Sequence, residues 1–429
     1  VLNNLAKIDI SCYEVINAID NDIIVDDTKY KPILMRLDSN AQFREIKVYE
    51  NPQYGNNDVI EISQIQIIDE IFTNAEKALS NEAFNDTFMT ASTGAGKSII
   101  FQIPAIKLAE EYNLLTLVIT PLIGLMNDQV SNLQKLTDKA ATINSEYTPI
   151  EKERIKQDIN NGKISILYLS PETLLSNTDI KMLIGDRRIG LIVIDEAHTV
   201  ATWGKSFRPD YWYLGDFLKK LKKYNKEMSF PIAAFTATAT LGGSDDMYYD
   251  IISDLSLNVK KPYIGKIIRE NISFNIKIQS KENDYRQEKD QLVVTRMNEF
   301  LDRNEKTLVY FPFVSQINKT YSKILATKLE SIGKYYGNVD KIEKNETLED
   351  FRIGKKKLVL ATKAFGMGID IDDIQNVYHY APSGNLADYV QEIGRIARKK
   401  DMAGVAYTDF FDEDLRYIKQ LHGISSIKN

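Results

Sequence analysis

The sequence predicts an α/β protein made of two tandem doubly wound parallel-sheet domains. Three observations carry that prediction. Short apolar runs alternate with longer segments of helical period, a glycine-rich loop at 91–98 (ASTGAGKS) lies between a strand and a helix, and the carboxylates Asp195 and Glu196 end the apolar run LIVI at 191–194. Strands buried on both faces read as continuous Val/Ile/Leu runs, and the carboxyl ends of such strands are where ligands of open α/β sheets sit.

Length and composition agree. A chain of 429 residues with 43% hydrophobic residues can build two cores. No apolar run approaches the roughly 18 residues of a membrane span and no signal peptide opens the chain, so a soluble, cytoplasmic protein without a membrane partner is expected. Cys12 is the only cysteine and the histidines are His198, His379 and His422. That set excludes disulfides within the chain and a cysteine-rich zinc site. A net charge of −6 argues against coating nucleic acid by bulk charge, while leaving room for a groove that grips a strand locally. Opening on Val1 and ending abruptly at Asn429, the sequence reads as a processed, excised or partial chain.

Residues 1–55 show no clear period and no motif, and form an appendage of unassigned role. The first domain is expected over 56–262. Residues 60–72 have apolar side chains at helical spacing, with Gln64 in the early turns. The strand TFM at 87–89, the loop at 91–98 and a helix over 99–111 follow, the context in which a glycine-rich loop binds phosphate. Gly94 and Gly96 let backbone N–H groups close around phosphates, the helix start adds positive potential, Lys97 reaches the terminal phosphates, and the Ser98 hydroxyl joins Mg²⁺. Thr93 and Ala95 complete the loop. The strand at 114–120 ends in Thr120-Pro121 before a helix at 123–130, and the strand at 167–169 ends in Ser170-Pro171, a good N-cap followed by a good first helical residue. After Asp195-Glu196-Ala197-His198, the strand AAF at 233–235 ends in the small hydroxyl run TATAT at 236–240. The second domain, over 263–412, repeats the alternation without a phosphate loop; LVYF at 308–311 and LVLAT at 358–362 are its clearest strands. The polar stretch at 279–290 reads as a solvated linker or helix surface, and 413–429 as the start of an extension.

Laid side by side, these strings resemble the superfamily 2 helicases, and among them the RecQ-like group. Gln64 is similar to that family's adenine-reading glutamine, with Ile60-Glu61 standing where Phe-Arg is usual. ASTGAGKS resembles motif I, with Ala91 for the first glycine; TPLIGLMNDQV at 120–130 resembles motif Ia, YLSPETL at 168–174 motif Ib, TATAT motif III, AFGMGID at 364–370 motif V and QEIGRIAR at 391–398 motif VI. TWGKSFRPDY at 202–211 resembles the RecQ aromatic-rich loop; aromatic side chains stack on any base, which suits a motor that must pass all of them. Ala397 replaces a common glycine, a change the backbone accepts if its φ is negative. The zinc domain of typical RecQ proteins has no cysteines here to build it. The string LHGIS at 421–425 is similar to helicases of bacterial antiviral defence systems such as Hachiman.

The resemblance implies two RecA-like lobes with ATP between them. Lys97 and the loop amides would hold the β and γ phosphates, Ser98 and Asp195 the Mg²⁺, and Glu196 would polarise the attacking water. Arg395 and Arg398 would act as arginine fingers supported by Gln391, with Gly368 and Asp370 lining the cleft. Thr120, Ser170 and Thr362 would contact nucleic-acid phosphates, and Trp203, Phe207 and Arg208 the bases. The expected partner is single-stranded DNA or a duplex with a 3′ overhang, tracked 3′ to 5′. The alternatives are a DNA sensor or translocase beside a nuclease or effector, an inactive binding scaffold, and an RNA helicase.

Overall fold

The computed structural model describes residues 25–52, 58–92, 94–176, 179–203, 209–224, 229–239, 241, 246–281, 284–366, 369, 371–399 and 401–421. It divides into two compact units, one ending at Ile267 and the other beginning at Ile268, a few residues past the expected boundary. Each unit is a parallel sheet covered on both faces by helices, the architecture the alternation predicts.

The first unit opens with β1 (Glu45–Tyr49) and β2 (Val59–Ser63), an antiparallel pair. Its main sheet contains β3 (Thr87–Thr90), β4 (Leu115–Ile119), β5 (Ala140–Ile143), β6 (Ile166–Leu169), β7 (Ile189–Ile194), β8 (Ile232–Thr236) and β9 (Tyr263–Ile264), in spatial order β5-β6-β4-β7-β8-β3-β9. Alternate residues feed opposite layers. Met89, Val118, Val193 and Phe235 enter one core with Phe72 and Phe101, while Phe88, Leu117, Ile119, Ile192, Ile194 and Ala234 enter the other. Phe101 and Phe235 meet at 5.3 Å between ring centroids, and each such buried aromatic contributes about 2–3 kcal/mol.

Two expectations change here. Residues 59–63 are a strand, and the helix Gln64–Leu79 begins only at Gln64. Over five residues an apolar stretch fits either period, and pairing with β1 decides for the strand. The stretch before residue 55 is no appendage where it is described: Tyr30, Ile33, Leu34, Ile46 and Val48 are buried in the same core as Phe72. Tyr30 donates to Asp69 at 2.6 Å, and Arg36 grips Glu110 with two bonds of 2.7 and 3.0 Å. Residues 1–24 lie outside the described residues.

The second unit contains β10 (Ile272–Ile278), β11 (Thr307–Tyr310), β12 (Ile332–Tyr335), β13 (Leu358–Ala361), β14 (Asn376–His379) and β15 (Gly404–Phe410), in spatial order β10-β15-β14-β11-β13-β12. Leu308, Tyr310, Val359 and Val377 line one core; Val309, Leu358, Leu360 and Tyr378 line the other. The polar run ending at residue 290 is not wholly solvated. It enters the helix Tyr285–Asp302, where Lys289 is fully buried and pairs with Asp414 at 2.8 Å, and Asp290 is also buried. A chain of alternating charges conceals which one points inward.

Candidate active site

The phosphate loop follows β3, and the carboxylate pair follows β7, with β8 between them in the sheet. The end of β8 is tied to both: Ala91 N donates to Thr236 O at 3.1 Å, and Ala197 N donates to Phe235 O at 2.8 Å. The TATAT run therefore spaces the two halves of the site.

In the loop, Gly96 has φ +78° and caps the helix Lys97–Glu111, whose N-terminus directs its amides and positive dipole end at the loop. The positive φ favours glycine, and a Cβ at Gly96 would lie 2.6 Å from the Gln64 amide nitrogen and push that side chain aside. Lys97 Nζ donates to Ala91 O at 2.8 Å, and Ser98 is the second residue of the helix. Thr93 lies outside the described residues. Gln64 is buried, its Nε2 donating to Ala95 O at 3.0 Å and its Oε1 accepting from Arg44 N at 3.0 Å. Gln64 N also donates to Arg44 O at 2.9 Å. The β1–β2 hairpin separates Arg44 from Gln64 along the chain and returns the Arg44 backbone to contact with Gln64, with Glu45 opposite Ser63.

Asp195 N donates to Ile119 O at 2.9 Å, continuing the β4–β7 pairing. The Asp195 carboxylate accepts from Glu196 N at 2.9 Å and from Gln129 Nε2 at 2.8 Å. Burial, then the charge of Glu196, pushes its pKa up to about 6, against the pull of Gln129 and Lys97. Glu196 has φ +53°, a left-handed conformation that costs a non-glycine residue about 1–3 kcal/mol and marks functional positions. His198 Nδ1 shares a 3.0 Å hydrogen bond with Thr236 Oγ1 and lies 3.4 Å from Glu196 Oε2.

Four buried oxygens on these strand ends and their helices lack hydrogen-bond partners among the described residues: Thr120 Oγ1, Gln129 Oε1, Glu196 Oε2 and Thr238 Oγ1. Unpaired buried acceptors cost free energy unless something polar meets them. Such a set fits a hydrated Mg²⁺ held by Asp195 and Ser98. No group of three or more His, Cys, Asp or Glu placed to hold a metal occurs among the described residues, and Mg²⁺ bound through one carboxylate, a hydroxyl and substrate phosphates needs none. Gln129 reaches Asp195 across 66 residues of sequence, and nothing in its local spacing shows that contact.

In the second unit, Arg395 is buried and donates from Nη1 to Ile369 O at 3.0 Å, with its Nε unpartnered. Arg398 donates to Gly394 O at 3.1 Å. Gln391 lies near the end of the helix Leu386–Ile393, one residue before Glu392, which pairs with His379 at 2.9 Å. Ala397 has φ +48°, so the condition for an unstrained replacement of glycine is not met. The turn needs a left-handed residue there, which accounts for glycine being common at that place. Gly368 and Asp370 lie outside the described residues.

The nucleic-acid assignments are placed unevenly. Thr120 is fully buried at the end of β4, next in register to the end of β7 that Asp195 follows. Ser170 is half-buried and caps the helix Pro171–Leu175, its Oγ accepting from Thr173 N at 3.2 Å. Thr362 is half-buried just past β13. Trp203 ends the helix His198–Trp203, whereas Phe207, Arg208 and the tail from His422 onward lie outside the described residues.

Comparison with known proteins accords with this geometry. Residues 63–246 match the DEAD/DEAH box helicase family, and residues 289–400 match the helicase conserved C-terminal domain. The ATP-dependent DNA helicase RecQ of Haemophilus influenzae is 29% identical over 354 residues, covering 82% of this chain and 53% of that protein. RecQ of Synechocystis is 32% identical over 324 residues, covering 74% of this chain and 63% of that protein. Among solved structures, helicase MrfA bound to DNA superposes with a TM-score of 0.66 at 16% identity, over 96% of this chain and 55% of that one. Saccharomyces cerevisiae Dbp5 bound to RNA and ADP BeF3 gives 0.59 at 18% identity, over 83% of this chain and 88% of that one. The chain belongs to the superfamily 2 helicases. Within them its core is RecQ-like, and it spans about half the length of the first of these RecQ relatives.

Proposed function

We propose that this chain hydrolyses ATP to move along single-stranded DNA, 3′ to 5′. The observation that carries the reading is the left-handed Glu196, its Oε2 buried without a hydrogen bond among the described residues, next to Asp195 at the end of β7. A carboxylate held in that way is placed to orient a water. Lys97 and the amides from Gly94 to Ser98 would bind the phosphates, Ser98 and Asp195 would hold Mg²⁺, and Arg395 and Arg398, supported by Gln391, would meet charge on the transferring phosphoryl. Bound Mg²⁺ would neutralise phosphate charge. Glu196 would accept the proton of the attacking water, and His198 would hold Glu196 toward Thr236. Ser170 and Thr362 are the proposed phosphate contacts on the strand, and Trp203, Phe207 and Arg208 the base contacts. The relatives named ATP-dependent DNA helicases support DNA as the track.

The test is ATP hydrolysis with no nucleic acid, single-stranded DNA, duplex DNA and single-stranded RNA, beside Lys97→Ala and Glu196→Gln. Stimulation by single-stranded DNA that both variants lose is expected. Stimulation by RNA alone would move the assignment to an RNA motor, and binding without hydrolysis in any arm would leave a scaffold.

A further inference from the structure

The segment joining the two units is fastened at both ends to nucleotide-site elements. Upstream, Gly265 N donates to Thr90 O and Oγ1, both at 2.9 Å, at the end of the strand that launches the phosphate loop, and Lys266 N donates to Lys47 O at 2.8 Å. Gly265 is packed so closely on β3 that a Cβ would lie 2.3 Å from Thr90 O. Downstream, within the second unit, the Arg269 guanidinium donates to Ile396 O at 2.7 Å and also to Ala397 O. Asn271 Nδ2 reaches the same Ala397 carbonyl at 3.1 Å and Met402 O at 2.8 Å. Ala397 N is held in turn by Ile374 O at 2.8 Å.

The turn so gripped is the one that presents Arg395 and Arg398. Its left-handed Ala397 turns a carbonyl into the Arg269–Asn271 clamp, a conformation that alanine does not hold unaided. We infer that Arg269, assisted by Asn271, is a positioning residue for Arg395 and Arg398. This rests on the reading of Arg395 as a group acting on the phosphoryl.

If a planar, five-donor guanidinium is needed, lysine cannot replace it, because one ammonium cannot serve carbonyls in fork geometry. The experiment measures DNA-stimulated ATP hydrolysis and thermal midpoint for wild type, Arg269→Gln, Arg269→Lys, Asn271→Ala and Arg395→Ala. Loss of a positioning contact is expected to lower kcat about tenfold in Arg269→Gln and Arg269→Lys, with KM for ATP within about twofold of wild type and a smaller loss in Asn271→Ala. Arg395→Ala should lose more than any of them. Unchanged kcat in both Arg269 variants, or parallel losses of kcat, KM and thermal midpoint, would overturn the positioning role. If Arg269→Gln does not fold, Asn271→Ala decides by the same criteria. An Arg395→Ala variant with wild-type kcat would instead overturn the underlying reading of the site.

Discussion

Asp195→Asn should end hydrolysis and at the same time make the metal-free protein more stable at neutral pH. The reason is the carboxyl's position. Burial and the adjacent Glu196 push its pKa from the ordinary 3.8 up to about 6. A carboxyl easier to protonate in the folded chain than in the unfolded one opposes folding when ionised. That penalty is absent below pH 3.8, grows between 3.8 and about 6, and is complete above. At about 1.4 kcal/mol per pH unit the interval is worth about 3 kcal/mol, and relaxation around a buried charge reduces the realised gain to about 2 kcal/mol.

Asparagine fits the same contacts. Its Oδ1 keeps the 2.9 Å bond from Glu196 N. Its Nδ2 would face the Gln129 amide nitrogen, and Gln129 can rotate to offer Oε1, which now lacks a partner. Urea unfolding of wild type and Asp195→Asn in EDTA, at pH 7.5 and pH 4.5, is the assay. The variant should be more stable by about 2 kcal/mol at pH 7.5, with the advantage shrinking toward pH 4.5. An equal or less stable variant at pH 7.5, or an advantage indifferent to pH, would refute the argument that the buried carboxylate is held at a cost for its function.

Substitutions at Lys289, Gly265 and Ala397 test separate parts of the structure. Lys289→Met leaves Asp414 buried without its cation and should cost the second unit about 3–5 kcal/mol in urea unfolding, with Asp414→Leu in the same chain recovering part of the loss. Gly265→Ala sets a methyl 2.3 Å from Thr90 O and 3.1 Å from Ala91 Cα, backbone atoms that cannot swing aside; a loss of about 1–3 kcal/mol and weaker binding of a fluorescent ADP analogue should follow. Ala397→Gly removes a left-handed alanine worth about 1 kcal/mol of strain but also deletes a buried methyl of similar value, so its thermal midpoint should barely move. Ala397→Val, whose branched side chain resists positive φ, should lower the midpoint clearly by the same measurement.

What the sequence displays and what it hides follow from how this kind of sheet is wound. A phosphate loop needs consecutive backbone amides, so residues 91–98 are readable as a string, and so are the strand ends at Asp195 and Thr236. A parallel sheet places strands side by side that are far apart in the chain, and the contacts it creates have no local period. Gln129 on Asp195 and Arg269 on Ala397 are of that kind. The β1–β2 hairpin does the same by another route, because its antiparallel register puts the Arg44 backbone against Gln64 across twenty residues of chain. The positive φ of Ala397 is hidden for the same reason. A dihedral angle is set by what the chain must return to, here the carbonyl clamp of residues more than a hundred positions earlier, at Arg269 and Asn271. Groups that touch the nucleotide are therefore legible as motifs, whereas groups that hold those motifs in place become legible only once the strands are paired.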